Sequence, residues 1–324
     1  MTFENANVLI SGGLGFIGST LAIRIRELGA KVSLIDTLYP HYGGNLFNVE
    51  SLKDRVAIHR VDLRDGAQVR ELVRGQDFVF NLAGQTSHLD SMTDPQADLA
   101  ANCSAQLNLL EACRTGNPTA KIVHASTRQI YGRPSYLPVD EGHPLRPVDI
   151  NGIHKLAGEQ YFSLYHRVYG MRTTVLRLTN TIGPRMRVKD ARQTFLGIWV
   201  SKLLRGEAIE VWGGEQLRDF TDVDDAVDAF LLAALKTAAE GQIYNLGGNE
   251  VLNLRQLAQM MVELTGGKFV VREYPSERSP IDIGDYYADY SKITAALGWT
   301  PRIPLRATLI RTLDYYRDAL PHYL

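Results

Sequence analysis

The feature that most constrains this fold is a glycine-rich loop near the start of the chain. An apolar run at 8–10 leads into residues 11–18, SGGLGFIG, whose glycines have the spacing G-x-x-G-x-x-G. Gly12 lets the chain turn sharply off a strand, Gly15 removes a side chain where a phosphate approaches the backbone, and Gly18 lets the next helix lie close to the sheet. The pattern predicts a strand, a phosphate-binding loop and a helix whose positive end faces the phosphate.

A second apolar run, at 31–35, closes on an acid where a dinucleotide fold binds ribose. Asp36 is positioned to accept hydrogen bonds from the hydroxyls of an adenosine ribose, and its charge disfavours a 2′-phosphate. The unit therefore favours NAD over NADP. A glycine-rich surface turn is the alternative, but it does not explain the strand, helix, strand and acid in this order. Phe16 and Ile17, at the start of the helix, are predicted to contact the cofactor with the three glycines.

Strand and helix signals then alternate. Predicted strands at 56–61, 78–82, 121–125 and 173–178 are separated by predicted helices at 66–73, 96–114 and 151–168. This order predicts an α/β fold, a Rossmann-type doubly wound parallel sheet followed by a smaller mixed α/β lobe. Ligands bind beyond the carboxyl ends of such strands. The residues predicted to contact the cofactor there are Asp62, Leu63, Leu82, Ala83 and Gly84. Asp62 either hydrogen-bonds the adenine amino group or caps the next helix.

The chain length predicts two lobes. Its 324 residues exceed the usual size of one domain. We predict an NAD-binding domain at 1–180, to which part of 222–248 returns, and a substrate lobe at 181–324. Residues 39–52 lack a period and are predicted to form a long loop beside the cofactor.

Charge and cysteine content exclude several classes of protein. A net charge of −1 gives no general field for nucleic acid or an anionic membrane, so neither is an expected partner. Cys103 and Cys113 lie in one predicted helix and fit neither a disulfide framework nor a zinc site, so no metal is expected. With no basic and apolar leader and no apolar run of about 18 residues, the protein is expected to be cytoplasmic.

Further segments carry a specific resemblance. They are 81–84 (NLAG), 126–132 (STRQIYG), 154–159 (HKLAGE), 176–180 (LRLTN), 213–220 (GGEQLRDF) and 223–225 (VDD). With the glycine loop they resemble the extended short-chain dehydrogenase/reductase family of nucleotide-sugar epimerases and dehydratases. The resemblance implies NAD in the N-terminal domain, a nucleotide diphosphate sugar in the C-terminal lobe, and hydride transfer from a sugar carbon to the nicotinamide. It also implies a homodimer formed through the helices that contain Cys103 and Asn151.

The catalytic pattern departs from the family at one position. The family uses a Ser or Thr hydroxyl, a Tyr, and a Lys four residues after the Tyr. By spacing the hydroxyl here is Thr127 and the lysine is Lys155, but Asn151 stands in the place of the tyrosine. Residues i and i+4 share a helix face, so the lysine would favour a phenolate. An amide has no useful basicity near neutral pH and can only orient a hydroxyl.

Three interpretations of Asn151 stay open. In the first another group is the base: His154 lies one helical turn away, and His88 and Asp90 lie on the loop after the fourth strand. In the second, Asn151 and Lys155 only orient substrate and cofactor while the chemistry differs from alcohol oxidation. In the third, the protein binds a nucleotide sugar without turnover. His154 is alternatively a packing histidine.

The two residues after Thr127 limit which reaction of the family is expected. The related 4,6-dehydratases usually carry Asp-Glu there, and those acids transfer protons during loss of water. Arg128 and Gln129 replace neither acid, so epimerisation is favoured over dehydration. Residues 81–85, NLAGQ, also resemble the 2-epimerases that act on CDP-sugars, although those keep their tyrosine. Arg128 either binds an anionic sugar such as a uronate or is a surface salt-bridge residue.

The predicted substrate-binding residues are Gln85, His88, Arg128, Asn180, Arg187, Arg192, Arg218 and Arg278. Asn180 is predicted to end a strand, and in the family this position contacts the substrate diphosphate. Arg187 and Arg192 belong to a run of cations that either binds phosphate or sugar or begins a solvated helix. Arg218 matches the diphosphate-binding arginine of the family, and Arg278 resembles the second one, in a segment that departs from the family pattern.

Overall fold

Parallel strands form a central sheet that is covered on both faces. The structure is a computed structural model that describes residues 2–190, 192 and 194–324, and within them seven strands form this main sheet. In chain order all the strands are β1 (Asn7–Ser11), β2 (Lys31–Ile35), β3 (Ala57–His59), β4 (Phe78–Asn81), β5 (Lys121–Thr127), β6 (Arg172–Leu178), β7 (Asn180–Ile182), β8 (Ile209–Trp212), β9 (Leu217–Asp222), β10 (Ile243–Asn245), β11 (Val251–Asn253) and β12 (Phe269–Arg272). The order in the main sheet is β10-β6-β5-β4-β1-β2-β3, which confirms the predicted doubly wound fold. The order reverses between β1 and β4, and a ligand crevice forms at such a point.

Helices cover the main sheet and also form part of the smaller lobe. They are α1 (Phe16–Glu27), α2 (Gly66–Val73), α3 (His88–Thr93), α4 (Pro95–Leu99), α5 (Ala105–Gly116), α6 (Ile150–Tyr169), α7 (Phe195–Leu204), α8 (Val223–Leu235), α9 (Leu254–Thr265), α10 (Ser291–Leu297) and α11 (Leu305–Ala319). In the residues described, none of them has both the length and the apolar character needed to cross a membrane.

Alternate residues of β1 explain how the two faces are filled. Val8 and Ile10 belong to a buried cluster with residues of α1 and α8, whereas Leu9 belongs to the opposite cluster with residues of α2, α5 and α6. A parallel strand buried on both faces needs apolar residues at successive positions. This is why β1 appears in the sequence as a continuous apolar run.

The glycine loop has the tight geometry that its spacing predicts. Gly12 has φ +67°, and its amide donates to Ile35 O at 2.8 Å. A Cβ at Gly18 would lie 2.2 Å from Gly12 O, so a side chain there would push α1 away from the loop. The end of β1, the loop and α1 are therefore packed as one unit.

The smaller lobe is mixed α/β, as predicted. Its sheets are β11-β9-β7 and β12-β8, and its core includes Trp199, Leu257 and Leu309 from α7, α9 and α11. After β9 the chain returns to the main sheet, because α8 packs on it and β10 pairs with β6. The domain boundary at residue 180 stays a prediction.

Four local predictions need correction. Residues 88–93, predicted as loop, form α3, whose cap Ser87 accepts a hydrogen bond from the Asp90 amide at 3.1 Å. Its helix period was invisible because the helix is less than two turns long. The predicted loop at 39–52 contains a 3₁₀ helix, Leu46–Leu52, and the predicted helix at 96–114 has a π-helical turn between α4 and α5. Asn180 begins β7 in the small sheet instead of ending β6.

Candidate active site

A cleft of about 630 Å³ lies at the carboxyl edge of the main sheet, beside β1 and β4. Its lining includes all of the predicted cofactor residues, namely Gly12, Gly15, Phe16, Ile17, Gly18, Asp36, Asp62, Leu63, Leu82, Ala83, Gly84 and Lys155. Thr127 and Asn151 line the same cleft. The fold thus brings the glycine loop and the residues of the catalytic pattern into one space.

The cofactor end of the cleft fits the donors and acceptors of a dinucleotide. In the described structure α1 begins after Gly15 without a side-chain cap, so its first amides can bind a pyrophosphate. Asp36 accepts hydrogen bonds from the amides of Leu14, at 3.2 Å, and Leu38, at 2.9 Å. Burial raises the pKa of Asp36, and these amides oppose the rise. The fixed carboxylate retains lone pairs for two ribose hydroxyls.

The structure excludes one of the two interpretations of Asp62 made from sequence and does not test the other. It does not cap α2, because that cap is Asp65, which accepts from the Gln68 amide at 3.1 Å. Asp62 instead accepts from the Arg64 amide at 2.9 Å, and the side-chain hydrogen bonds from Arg64 lower its pKa. The capping alternative is therefore wrong, while a contact with adenine stays a prediction.

Asn151 is buried and firmly oriented. Its Nδ2 donates to Gln85 O at 3.0 Å, to Gln85 Oε1 at 3.1 Å and to Asp98 Oδ2 at 2.9 Å. Among the residues described, its Oδ1 accepts no hydrogen bond. The amide nitrogen is thus tied to the protein, whereas the amide oxygen is free to accept a hydrogen bond from a substrate hydroxyl.

Asp98 is the site residue that sequence reasoning missed. Its carboxylate is fully buried, and Oδ1 accepts from His154 Nδ1 at 2.7 Å and from Asn102 Nδ2 at 3.1 Å. Asp98 lines the cleft and His154 does not, so His154 supports Asp98 and does not face the substrate. The available signal was the pair of polar residues, Asp98 and Asn102, four positions apart in the predicted helix at 96–114.

Lys155 lies deep in the cleft beside Gly84. A Cβ at Gly84 would lie 2.6 Å from Lys155 Nζ, so only glycine leaves room for the ammonium group. Burial lowers the pKa of Lys155 to about 8, and the negative charge of Asp98 opposes this shift. A substantial fraction of neutral amine is therefore present near pH 8, and a neutral amine can accept a proton.

The other two predicted bases lie on α3 at the cleft wall. His88 Nδ1 is 2.9 Å from Asp149 Oδ2. Asp90 Oδ2 accepts from Arg192 Nε at 2.8 Å, and Arg192 also pairs with Asp190 at 3.0 Å. His88, Asp90 and Arg192 all line the cleft, and Asp90 and Arg192 are already paired with each other.

Arg128 and Asn180 meet at the substrate end of the cleft. Arg128 Nη2 donates to Asn180 Oδ1 at 3.1 Å, and both residues line the cleft. The guanidinium carbon lies 5.3 Å from the ring centre of Tyr286. Arg128 forms no ion pair with any residue that the structure describes, so the alternative of a surface salt bridge is wrong.

Of the remaining predicted arginines, Arg187 and Arg218 do not line the cleft. Arg187 is buried, where its Nε donates to Asp190 Oδ1 at 2.7 Å and its Nη1 to Tyr42 O at 2.7 Å. Arg218 is buried too, and its Nη1 donates to Leu217 O at 2.8 Å. The side chain of Arg278 lies outside the described residues. Substrate contacts by these three stay predictions.

A buried ion pair supports the cleft from below. Glu159, on α6, accepts from Arg177 Nη2 at 2.5 Å and from Ser126 Oγ at 2.8 Å. Arg177 Nη1 also donates to Tyr131 OH at 2.6 Å. This network joins α6, β5 and β6 directly below Thr127, and thereby fixes α6 relative to the sheet.

Known proteins resemble this chain in both sequence and fold. The model of the NAD dependent epimerase/dehydratase family matches residues 8–247. The chain is 29% identical to the UDP-glucose 4-epimerase of Mycolicibacterium smegmatis over 313 residues, which are 96% of this chain and 98% of that protein. It is 30% identical to a dTDP-glucose 4,6-dehydratase of an Actinoplanes species, over 96% of this chain and 97% of that protein.

A solved structure has a similar fold. The crystal structure of UDP-glucose 4-epimerase from Thermotoga maritima with UDP-glucose has a TM-score of 0.89 and 30% identity, covering 97% of this chain and 99% of that one. The resemblance to extended short-chain dehydrogenases/reductases is thus confirmed, and the chain belongs to the NAD-dependent epimerase/dehydratase family.

Proposed function

We propose that this protein is an NAD-dependent nucleotide-sugar epimerase that acts through a transient keto sugar. The observation that carries the proposal is the single cleft in which the glycine loop and Asp36 meet Thr127, Asn151 and Lys155. Oxidation and return of the hydride need no other group than a dinucleotide, a proton acceptor and residues that orient one hydroxyl.

The side chains have separate parts in this proposal. Thr127 Oγ1 accepts from the Gln129 amide at 3.2 Å, which leaves its own hydrogen to donate to the sugar oxygen. Asn151 Oδ1 accepts the hydroxyl hydrogen and orients it. The neutral amine of Lys155 then takes this proton while the adjacent carbon loses hydride, and a ketone forms. Bound NAD supplies the hydride acceptor. Return of proton and hydride, with hydride reaching the opposite face of the carbon, gives the epimer.

Epimerisation is favoured over dehydration by the residues after Thr127. Arg128 and the buried Gln129 occupy the two positions where the resembling dehydratases carry acids, and Gln129 Nε2 donates to Asp149 at 2.9 Å. Two of the relatives described above are UDP-glucose 4-epimerases, which supports UDP-sugars as the first probes. Dehydration is the second candidate, because a dTDP-glucose 4,6-dehydratase is about equally similar.

The test is incubation of the purified protein with NAD and a panel of UDP-, GDP-, CDP- and dTDP-sugars. We expect transient absorbance of reduced nicotinamide and an epimeric sugar nucleotide by chromatography. A product that has lost water would favour the dehydratase. Binding of a sugar nucleotide without reduction or product would contradict any catalytic role and favour a nucleotide-sugar-binding protein.

A cytoplasmic homodimer is part of the proposal. Large apolar side chains on α5 and α6 remain exposed, including Leu107 on α5 and Ile153, Leu164 and Val168 on α6. The three on α6 share one face, since they are spaced by 11 and 4 residues. This exposed face supports pairing through α5 and α6, the helices that the family resemblance implies.

A further inference from the structure

A half-buried arginine at the substrate end of the cleft, Arg128, has no counter-ion among the described residues. Arg128 Nη2 is held by Asn180, but Arg128 Nη1 is buried and has no hydrogen-bond partner among the described residues. A charged donor left unpaired in a protein interior is costly, so such a group is normally satisfied by a partner that the protein alone does not supply.

The charges around Arg128 increase its need for a negatively charged partner. Burial and the nearby Arg218 lower the pKa of Arg128 to about 10. The acid that opposes this most, Asp219, already accepts hydrogen bonds from Thr179 Oγ1 and from the amides of Ala288, at 3.1 Å, and Gly248, at 3.3 Å. The other cleft arginine at this end differs, because Arg192 pairs with two aspartates. Excess positive charge is therefore specific to Arg128.

We propose that Arg128 binds a carboxylate on the sugar itself, so that the substrate is a nucleotide diphosphate uronate or a similar acidic sugar. The inference rests on the proposed function and deepens it. The planar guanidinium lies against the Tyr286 ring and is anchored at one end by Asn180, which suits a carboxylate better than a rotating point charge would.

The position in the chain argues for the sugar over the diphosphate. Arg128 directly follows Thr127, whose hydroxyl the proposed function assigns to the reacting sugar oxygen. The sugar ring is therefore the part of the substrate that the proposed function places nearest to this segment. A carboxylate on the sugar would neutralise Arg128. It would not contact the glycine loop, which is assigned to the pyrophosphate of the cofactor.

The experiment measures binding to the NAD-loaded protein by calorimetry. The probes are glucose and glucuronate derivatives of UDP, dTDP, GDP and CDP, together with each nucleoside diphosphate alone. For the base that binds most tightly, we expect the uronate to bind on the order of ten- to a hundred-fold more tightly than the neutral sugar. Equal binding, tighter binding of glucose, or no binding of any uronate would overturn the proposal.

Variants separate the two sources of negative charge. Arg128→Met should remove the preference for the uronate while the nucleoside diphosphate binds as before, and Arg128→Lys should restore only part of it. Equal weakening of all three probes would instead make Arg128 a diphosphate ligand and contradict the proposal. Arg205→Gln, which removes an exposed charge paired with Glu207, controls for net charge. Binding without turnover would leave this inference intact while defeating the proposed epimerisation.

Discussion

Asn151 and Asp98 form a unit that a tyrosine could not form in the same way. The amide nitrogen of Asn151 donates to the buried carboxylate of Asp98, which His154 supports from the other side. These bonds keep a negative charge beside the cleft and close enough to Lys155 to raise its pKa against the effect of burial. At the scale of the residue, therefore, Lys155 is the candidate base, because the phenol is missing.

The rate of NAD reduction should rise with pH through a midpoint near 8, because burial lowers the pKa of Lys155 to about 8 and only the neutral amine accepts a proton. Asp98→Asn should move this midpoint to lower pH, since the charge of Asp98 raises the Lys155 pKa. Lys155→Met should slow the step by roughly 10²- to 10⁴-fold. Stopped-flow absorbance of reduced nicotinamide over a series of pH values measures all three.

Asp314→Asn is the matched control, because it removes an exposed acid, paired with Arg317, that lies outside the cleft lining. Its midpoint should equal that of the parent protein. A midpoint near the ordinary histidine value of about 6.5 that does not move in Asp98→Asn would contradict Lys155 as the base.

At the scale of the element, α6 carries both catalytic positions and must be fixed to the sheet. Asn151 and Lys155 lie in its first two turns, and Glu159 one turn later forms the ion pair with Arg177 of β6. The same helix exposes an apolar face on the side of Leu164 and Val168. One face of α6 thus serves the cleft and another is available to a partner.

Glu159→Gln should lower the free energy of unfolding by about 3–5 kcal/mol, because it leaves the Arg177 charge buried without its partner. Chemical denaturation measures the change. Glu71→Gln, in the exposed pair with Arg74, should cost less than about 1 kcal/mol. Equal losses in the two variants would show that the buried pair does not hold α6 in place.

Leu164→Glu should convert the proposed dimer to a monomer, since it puts a charge in the centre of the exposed apolar face of α6. Sedimentation equilibrium measures the mass. Leu324→Glu alters an apolar residue that is also exposed but lies away from α6, and should leave the mass unchanged. A parent protein that sediments as a monomer would disprove the dimer.

At the scale of the whole molecule, the cleft joins the main sheet to the start of the smaller lobe. Its walls include the glycine loop and also Asn180, Arg192 and Thr194, which follow β6. A ligand that fills such a cleft binds only the folded chain. Its binding should therefore add to the stability of the entire protein.

NAD at about 100 times its dissociation constant should raise the free energy of unfolding by about 2.7 kcal/mol. Asp36→Asn should weaken NAD and reduce its advantage over NADP, because the carboxylate that repels a 2′-phosphate is lost. Thermal unfolding with each dinucleotide measures both effects. Glu27→Gln, at the far end of α1, is the control. Tighter binding of NADP by the unaltered protein would contradict the assignment of Asp36.

The cofactor half of this protein was determined by sequence alone, because β1, the glycine loop, α1 and Asp36 form one contiguous unit whose geometry is local. The alternation of strands and helices along the chain followed from similar local signals, whereas the order of the strands in the sheet came from the structure. The contacts, burial and charge pairing of the residues in the substrate half were decided only by the tertiary structure. The contacts of Asp98 with Asn151 and His154, and those of Arg128 with Asn180 and Tyr286, join residues more than fifty positions apart. Burial and unpaired charge at those residues depend on which elements pack together, and spacing along the chain does not record that packing.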